Sequence, residues 1–76
     1  MTLDELAALV WLTWRNEQRT IFPHYGSDNW EAVSLYVKNE WKVRIRLYLQ
    51  TGEFMGDAAI IKMVVDLYAD HVGDLS

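Results

Sequence analysis

Lys38, Lys42 and Arg46 recur at four-residue steps, with Arg44 set between them. On a helix, that step puts the first three in one line. Such a row suits phosphates or an acidic protein surface. A solvated helix face needs charges of this kind as well. The chain as a whole is acidic, with 7 Lys and Arg against 11 Asp and Glu for a net charge of -4. Nucleic-acid binders as a rule carry a basic balance. The cations therefore point first to an acidic protein partner, whose orientation they would set, and second to nucleic acid.

The remaining polar groups offer less. His71 with Asp70 and Asp74 could begin a metal site at a helix end, but a further ligand such as His24 would have to come from another loop. A histidine at the edge of an apolar face is the more ordinary reading. His24 has Ser27 and Ser34 near it in sequence, and both serines read more simply as turn and solvent-face residues than as nucleophiles. Glu40 is a lone acid without a partner group for acid–base work. Gly26, Gly52, Gly56 and Gly73 are too far apart to cradle a phosphate. Asp66, Asp70 and Asp74 fall in line, yet a mimic of nucleic acid needs a denser acidic field. Neither an enzyme activity nor a cofactor nor a metal is expected.

Apolar matter is the stronger signal. Hydrophobic residues make up 51% of 76 positions, with four Trp, four Tyr and two Phe. That is ample for one small core, and the surplus suits an interface. Trp11, Trp14, Trp30 and Trp41 are the large anchors. Phe22 and Tyr25 sit in the loop TIFPHYGSDN, and aromatic loops often bind ligands or peptides. Leu12, like Leu9, lies off the main apolar stripe of its segment and offers a second contact surface. Together with Lys38, Lys42, Arg44 and Arg46, these are the candidate interaction residues.

The chain has no cysteine, so it has no disulfide or thiolate chemistry. It opens MTLDEL, acidic where a secretory leader is basic, and no apolar run is long enough for a membrane span. A cytoplasmic protein without membrane contact is expected.

Few breakers divide the chain. Pro23 and Gly26 fall in one gap, and Gly52 and Gly56 in another. In the first segment, Thr2 and Glu5 fit a capping box, and Leu3, Leu6, Ala7, Val10 and Trp14 recur at helical spacing. In the last, Asp57 can cap a helix whose apolar face holds Ile60, Ile61, Val64, Leu67, Tyr68 and Val72, with Gly73 to end it.

The middle segment is ambiguous. From Trp41 to Leu49 it alternates like a strand, with Val43, Ile45 and Leu47 on the same face as those two. Over a longer range, Asp28 and Glu31 fit a second capping box, Val33, Val37, Trp41, Ile45 and Leu49 step by four, and Gly52 supplies a stop. In that helix Glu40 and Arg44 would fall near the middle of the apolar side and pair with each other.

The expected fold is mostly α, a small three-helix bundle over residues 1–76 as a single domain, with a long central helix from Asp28 to Gly52. The alternative is α+β with a strand at 41–49. The expected function is a non-enzymatic protein-interaction domain, self-associating, serving as adaptor, assembly subunit or inhibitor. Its partner would be another protein, its own copy included. A nucleic-acid-associated regulator is the alternative.

Overall fold

The computed structural model describes residues 1–53 and 59–73, apart from the side chain of Ile60. The first helix, α1, runs Leu3–Arg19, and the expected capping box starts it. Thr2 Oγ1 accepts from the Glu5 N–H at 3.1 Å, and Glu5 Oε1 accepts from the Thr2 N–H at 3.1 Å. These two bonds satisfy donors that a helix start otherwise leaves open. The bond from the Thr2 N–H also holds the Glu5 carboxyl below its usual range.

Leu3, Leu6, Ala7 and Val10 are fully buried, as their spacing predicts. Each large aliphatic among them contributes about 1.5–3 kcal/mol by leaving water. The stripe then turns. Trp11 is only 3% exposed, while Trp14 is half-buried. Trp30 causes the turn: its ring packs 5.8 Å from that of Trp11 and covers that side of α1.

The middle segment is helical, and no strand occurs among the described residues. Helix α2 runs Leu35–Thr51 and ends, as expected, on Gly52 in the left-handed conformation (φ 77°), whose N–H donates to the Tyr48 carbonyl at 2.8 Å. The alternation from Trp41 to Leu49 is thus a side effect of an apolar stripe flanked by cations.

The start of α2 is corrected. No helix begins at Asp28, and α2 is as long as α1. The residues before it form a short 3-10 turn, Trp30–Ala32, capped by Asn29, whose side chain accepts from the Ala32 N–H at 2.9 Å. Val33 and Ser34 are extended, and Ser34 then caps α2 through the Val37 N–H. Two good capping residues five apart outcompete one continuous helix, because the break lets both Trp30 and Val33 reach the core.

The last helix, α3, runs Ala59–Tyr68 and continues as a 3-10 turn, Ala69–His71. Asp57, Gly56, Phe54 and Met55 lie outside the described residues. Ile61 and Val65 are buried, with Val64, Tyr68 and Val72 packed beside them. Leu67 does not join this face. It is exposed, with Met63 one turn before it. Gly73 takes no left-handed cap; its N–H donates to the Met1 carbonyl at 3.2 Å and joins the two ends of the bundle.

Both α2 and α3 pack on α1, which carries half of the buried aliphatics among the described residues. Helices α2 and α3 are tied by Tyr48, whose hydroxyl donates to Asp66 Oδ1 at 2.6 Å. That bond holds the Tyr48 phenol above its ordinary value of about 10. Because the folded-state value is raised, the bond's stabilisation is complete below about pH 10 and is lost as pH rises through the folded value. One of the four tyrosines should therefore ionise later than the rest in a phenolate absorbance titration. Tyr48→Phe should remove that late step, and Asp66→Asn should move it back toward the others. Separately, Thr2→Ala should cost about 1 kcal/mol in urea unfolding, with the helical signal of the folded protein unchanged.

Candidate functional site

A pair of arginines builds the most developed feature of the surface. Arg15 and Arg19 stand one turn apart near the end of α1, so both side chains reach the loop that follows it. Arg15 is 9% exposed. Its Nη1 donates to the Ser27 carbonyl at 3.0 Å and to the Asp28 carbonyl, and its Nη2 to Asn16 Oδ1 at 2.9 Å. Its guanidinium also lies 5.4 Å from the ring centre of Trp11. Arg19 is the outer member. Its Nε donates to the Tyr25 carbonyl at 2.8 Å, and its Nη2 reaches the Gly26 carbonyl and Asp28 Oδ1, both at 3.3 Å. Four successive carbonyls, Tyr25 to Asp28, thus converge on two cations.

Pro23 opens this loop as the second residue of a turn in which the Tyr25 N–H donates to the Phe22 carbonyl at 2.9 Å. Gly26 sits at φ 76°, as its place in the loop predicts. A Cβ there would stand 3.2 Å from Arg15 Cγ. The glycine therefore serves both the backbone conformation and the close approach of the arginine stem.

The clamped loop forms one wall of a cleft of about 440 Å³. Trp11, Trp14, Tyr25 and Trp41 supply its aromatic surface, and Ala32 and Val37 lie on the side toward α2. The Trp14 ring is the hub: Tyr25 meets it edge-on at 5.3 Å, and Trp41 lies tilted at 5.3 Å. The polar rim comes from Ser27 and Ser34. Ser34 is a helix cap rather than a solvent-face residue of a helix interior.

The sequence candidates divide around this cleft. Trp11, Trp14, Tyr25 and Trp41 meet in it. Trp30 lies behind Trp11 in the core, with its indole N–H directed at the Asp4 carboxylate at 3.4 Å. Phe22 is exposed beside Tyr25, 6.4 Å between ring centres. Leu12 is exposed away from the buried face of α1 and does not line the cleft.

The cations do not form one free row. Lys38 lies over the Trp30 ring at 5.7 Å. Arg44 pairs with Glu40 at 2.5 Å, as expected, but the two side chains are 39% and 41% exposed and so sit at the edge of the apolar side rather than its middle. Arg46 has its Nε buried without a hydrogen-bond partner, and Lys42 is half-buried like the other three. Asp74 lies outside the described residues, and among those described no group of three or more acidic or histidine side chains gathers to hold a metal ion.

Arg15 and Arg19 were missed as site residues by composition and motif. The available signal was two arginines at i and i+4, just before a loop with Pro and Gly.

The chain matches no protein-family model, no curated protein and no solved structure. Among the described residues, no helix is long and apolar enough to cross a membrane.

Arg15→Met keeps the stem but removes the arginine donor of the Asp28 carbonyl and leaves the Ser27 carbonyl only the longer contact from Arg19 Nη2 at 3.4 Å. It should cost about 2 kcal/mol in urea unfolding, as expected for hydrogen bonds to a charged group. Gly26→Ala should cost about 1–2 kcal/mol, from the left-handed backbone alone. Both should also reduce the near-UV dichroism of the aromatic cluster.

Proposed function

We propose that this chain is a non-enzymatic protein-interaction module that takes a large apolar or aromatic side chain of a partner polypeptide into the cleft between α1, the clamped loop and α2. The observation that carries the reading is the wall itself. Trp11, Trp14, Tyr25 and Trp41 converge on a space of about 440 Å³, within the range of small-molecule and side-chain pockets. Aromatic side chains favour tilted and edge-on contacts with a guest ring, and Trp and Tyr dominate the energetics of known interfaces. The wall is organised before any guest arrives, because the arginine–carbonyl bonds fix the loop that carries Tyr25. Pre-ordering of this kind spares the entropy that a loose loop would lose on binding. The serines at the rim suit the backbone of the segment that bears the guest side chain. As adaptor, assembly subunit or inhibitor, the module would act by occupying the partner's surface. The nucleic-acid reading has less support, since Lys38 and Arg44 are already engaged with Trp30 and Glu40.

The four tryptophans give four indole N–H signals by NMR. Titration with N-acetyl-phenylalaninamide should shift those of Trp14 and Trp41 most and that of Trp30 least. Ala32→Phe, at an exposed position on the cleft wall, should abolish those shifts while preserving the fold. Equal shifts in all four signals, or shifts that survive Ala32→Phe, would contradict the proposal.

A further inference from the structure

The outer face of α2 carries a second pattern, independent of the cleft. Tyr36 is 78% exposed and Val43 56% exposed. With Asn39, Glu40 and Arg44 they line an open groove of about 420 Å³. Leu47, one turn beyond Val43, extends the apolar surface on the same side. Along the helix this face reads apolar, acid, apolar, base, apolar: Tyr36, Glu40, Val43, Arg44, Leu47.

That order is complementary to its own reversal. If α2 is turned end for end about an axis at the level of residue 42, Glu40 falls opposite Arg44 of the copy, and Arg44 opposite the copy's Glu40. Tyr36 falls beside Leu47 at each end, within about one residue's rise of 1.5 Å. Val43 meets its own copy near the axis, so apolar covers apolar and acid covers base throughout. A parallel arrangement would instead set Glu40 against Glu40 and Arg44 against Arg44, and like charges so placed repel. Lys42 lies round the helix from Val43 and stays clear of the contact, because each residue turns the helix by about 100°.

We infer that the outer face of α2 is an isologous interface with a second copy of this chain, antiparallel and two-fold, closed by a ring of alternating Glu40 and Arg44 side chains around Val43. The ion pair that Glu40 and Arg44 make within one helix is already formed in the single chain, at 2.5 Å. It holds both side chains in part-exposed positions, so the second copy completes a network rather than ordering new groups. In a two-fold contact each residue is used twice, which lets a short face supply a whole interface.

The experiment uses the entire chain and sedimentation equilibrium over a wide concentration range. The wild-type protein is expected to be a dimer that weakens as salt rises. Val43→Glu places two carboxylates at the axis and should weaken dimerisation by at least about tenfold, as for a central interface residue. Its helical signal should be unchanged, because Val43 is exposed and lies outside the buried core.

The decisive arm mixes two variants. Glu40→Arg makes both charges of the ring positive, and Arg44→Glu makes both negative. Each alone should be monomeric, and the equimolar mixture should form a heterodimer. Neither variant can make the pair within its own helix, so association on mixing reports contacts between chains alone. A wild-type chain that stays monomeric at millimolar concentration, a dimer indifferent to Val43→Glu, or a mixture that remains monomeric would each overturn the inference and leave this face to a foreign partner. The cleft titration is unaffected by any of these outcomes, so the two readings fail separately.

Discussion

Everything around the cleft depends on two guanidiniums meeting four carbonyls. The stretch from Tyr25 to Asp28 lies outside every helix, where its backbone acceptors have no regular structure in which to pair. Acceptors left without partners near the core would cost more than the loop's few apolar contacts return. Arg15 and Arg19 resolve this from one side, since a guanidinium offers several donors in a fixed plane. Burying Arg15 is acceptable only because its charge is shared among carbonyl dipoles and the face of Trp11. The loop is thereby held against Trp14, and the cleft inherits its shape.

That constraint also accounts for the break before α2. The chain leaves the arginine clamp at Asp28 and turns at once through Asn29 and the short 3-10 segment, which drops Trp30 behind Trp11. A continuous helix from Asp28 would carry Trp30 away on its own axis. The caps at Asn29 and Ser34 make the interrupted path inexpensive, and Val33 still lands in the core. Helix α1 is thus the spine of the molecule: its aliphatic half carries the bundle, and its arginine end carries the loop.

Much of this was legible in the sequence. The capping box at Thr2 and Glu5, the buried run Leu3 to Val10 and the stop at Gly52 follow from local chemistry, which acts over a few residues and leaves plain spacing. Trp11, Trp14 and Trp41 were foreseen only as anchors and Tyr25 only as a loop aromatic, because the distance between Tyr25 and Trp14 is set by the clamp rather than by period. Asp28 with Glu31 had the right spacing for a cap and was wrong, since spacing cannot weigh a competing cap at Asn29 or the pull of Trp30 toward the core. The cations looked like one row for a related reason. Helical period places Lys38, Lys42 and Arg46 in line, but Lys38 is drawn to the Trp30 ring, a contact between different elements.

The arginine clamp holds Tyr25 against Trp14 in the single chain. Nuclear Overhauser contacts among the aromatic rings of the free protein test it most directly. Strong contacts are expected from the Tyr25 ring to Trp14 and from Trp14 to Trp41, with the Tyr25 ring shifted away from its free position. A Tyr25 ring at its free shift, without contacts to Trp14, would mean that the loop is not held and that the cleft does not exist in the unbound chain.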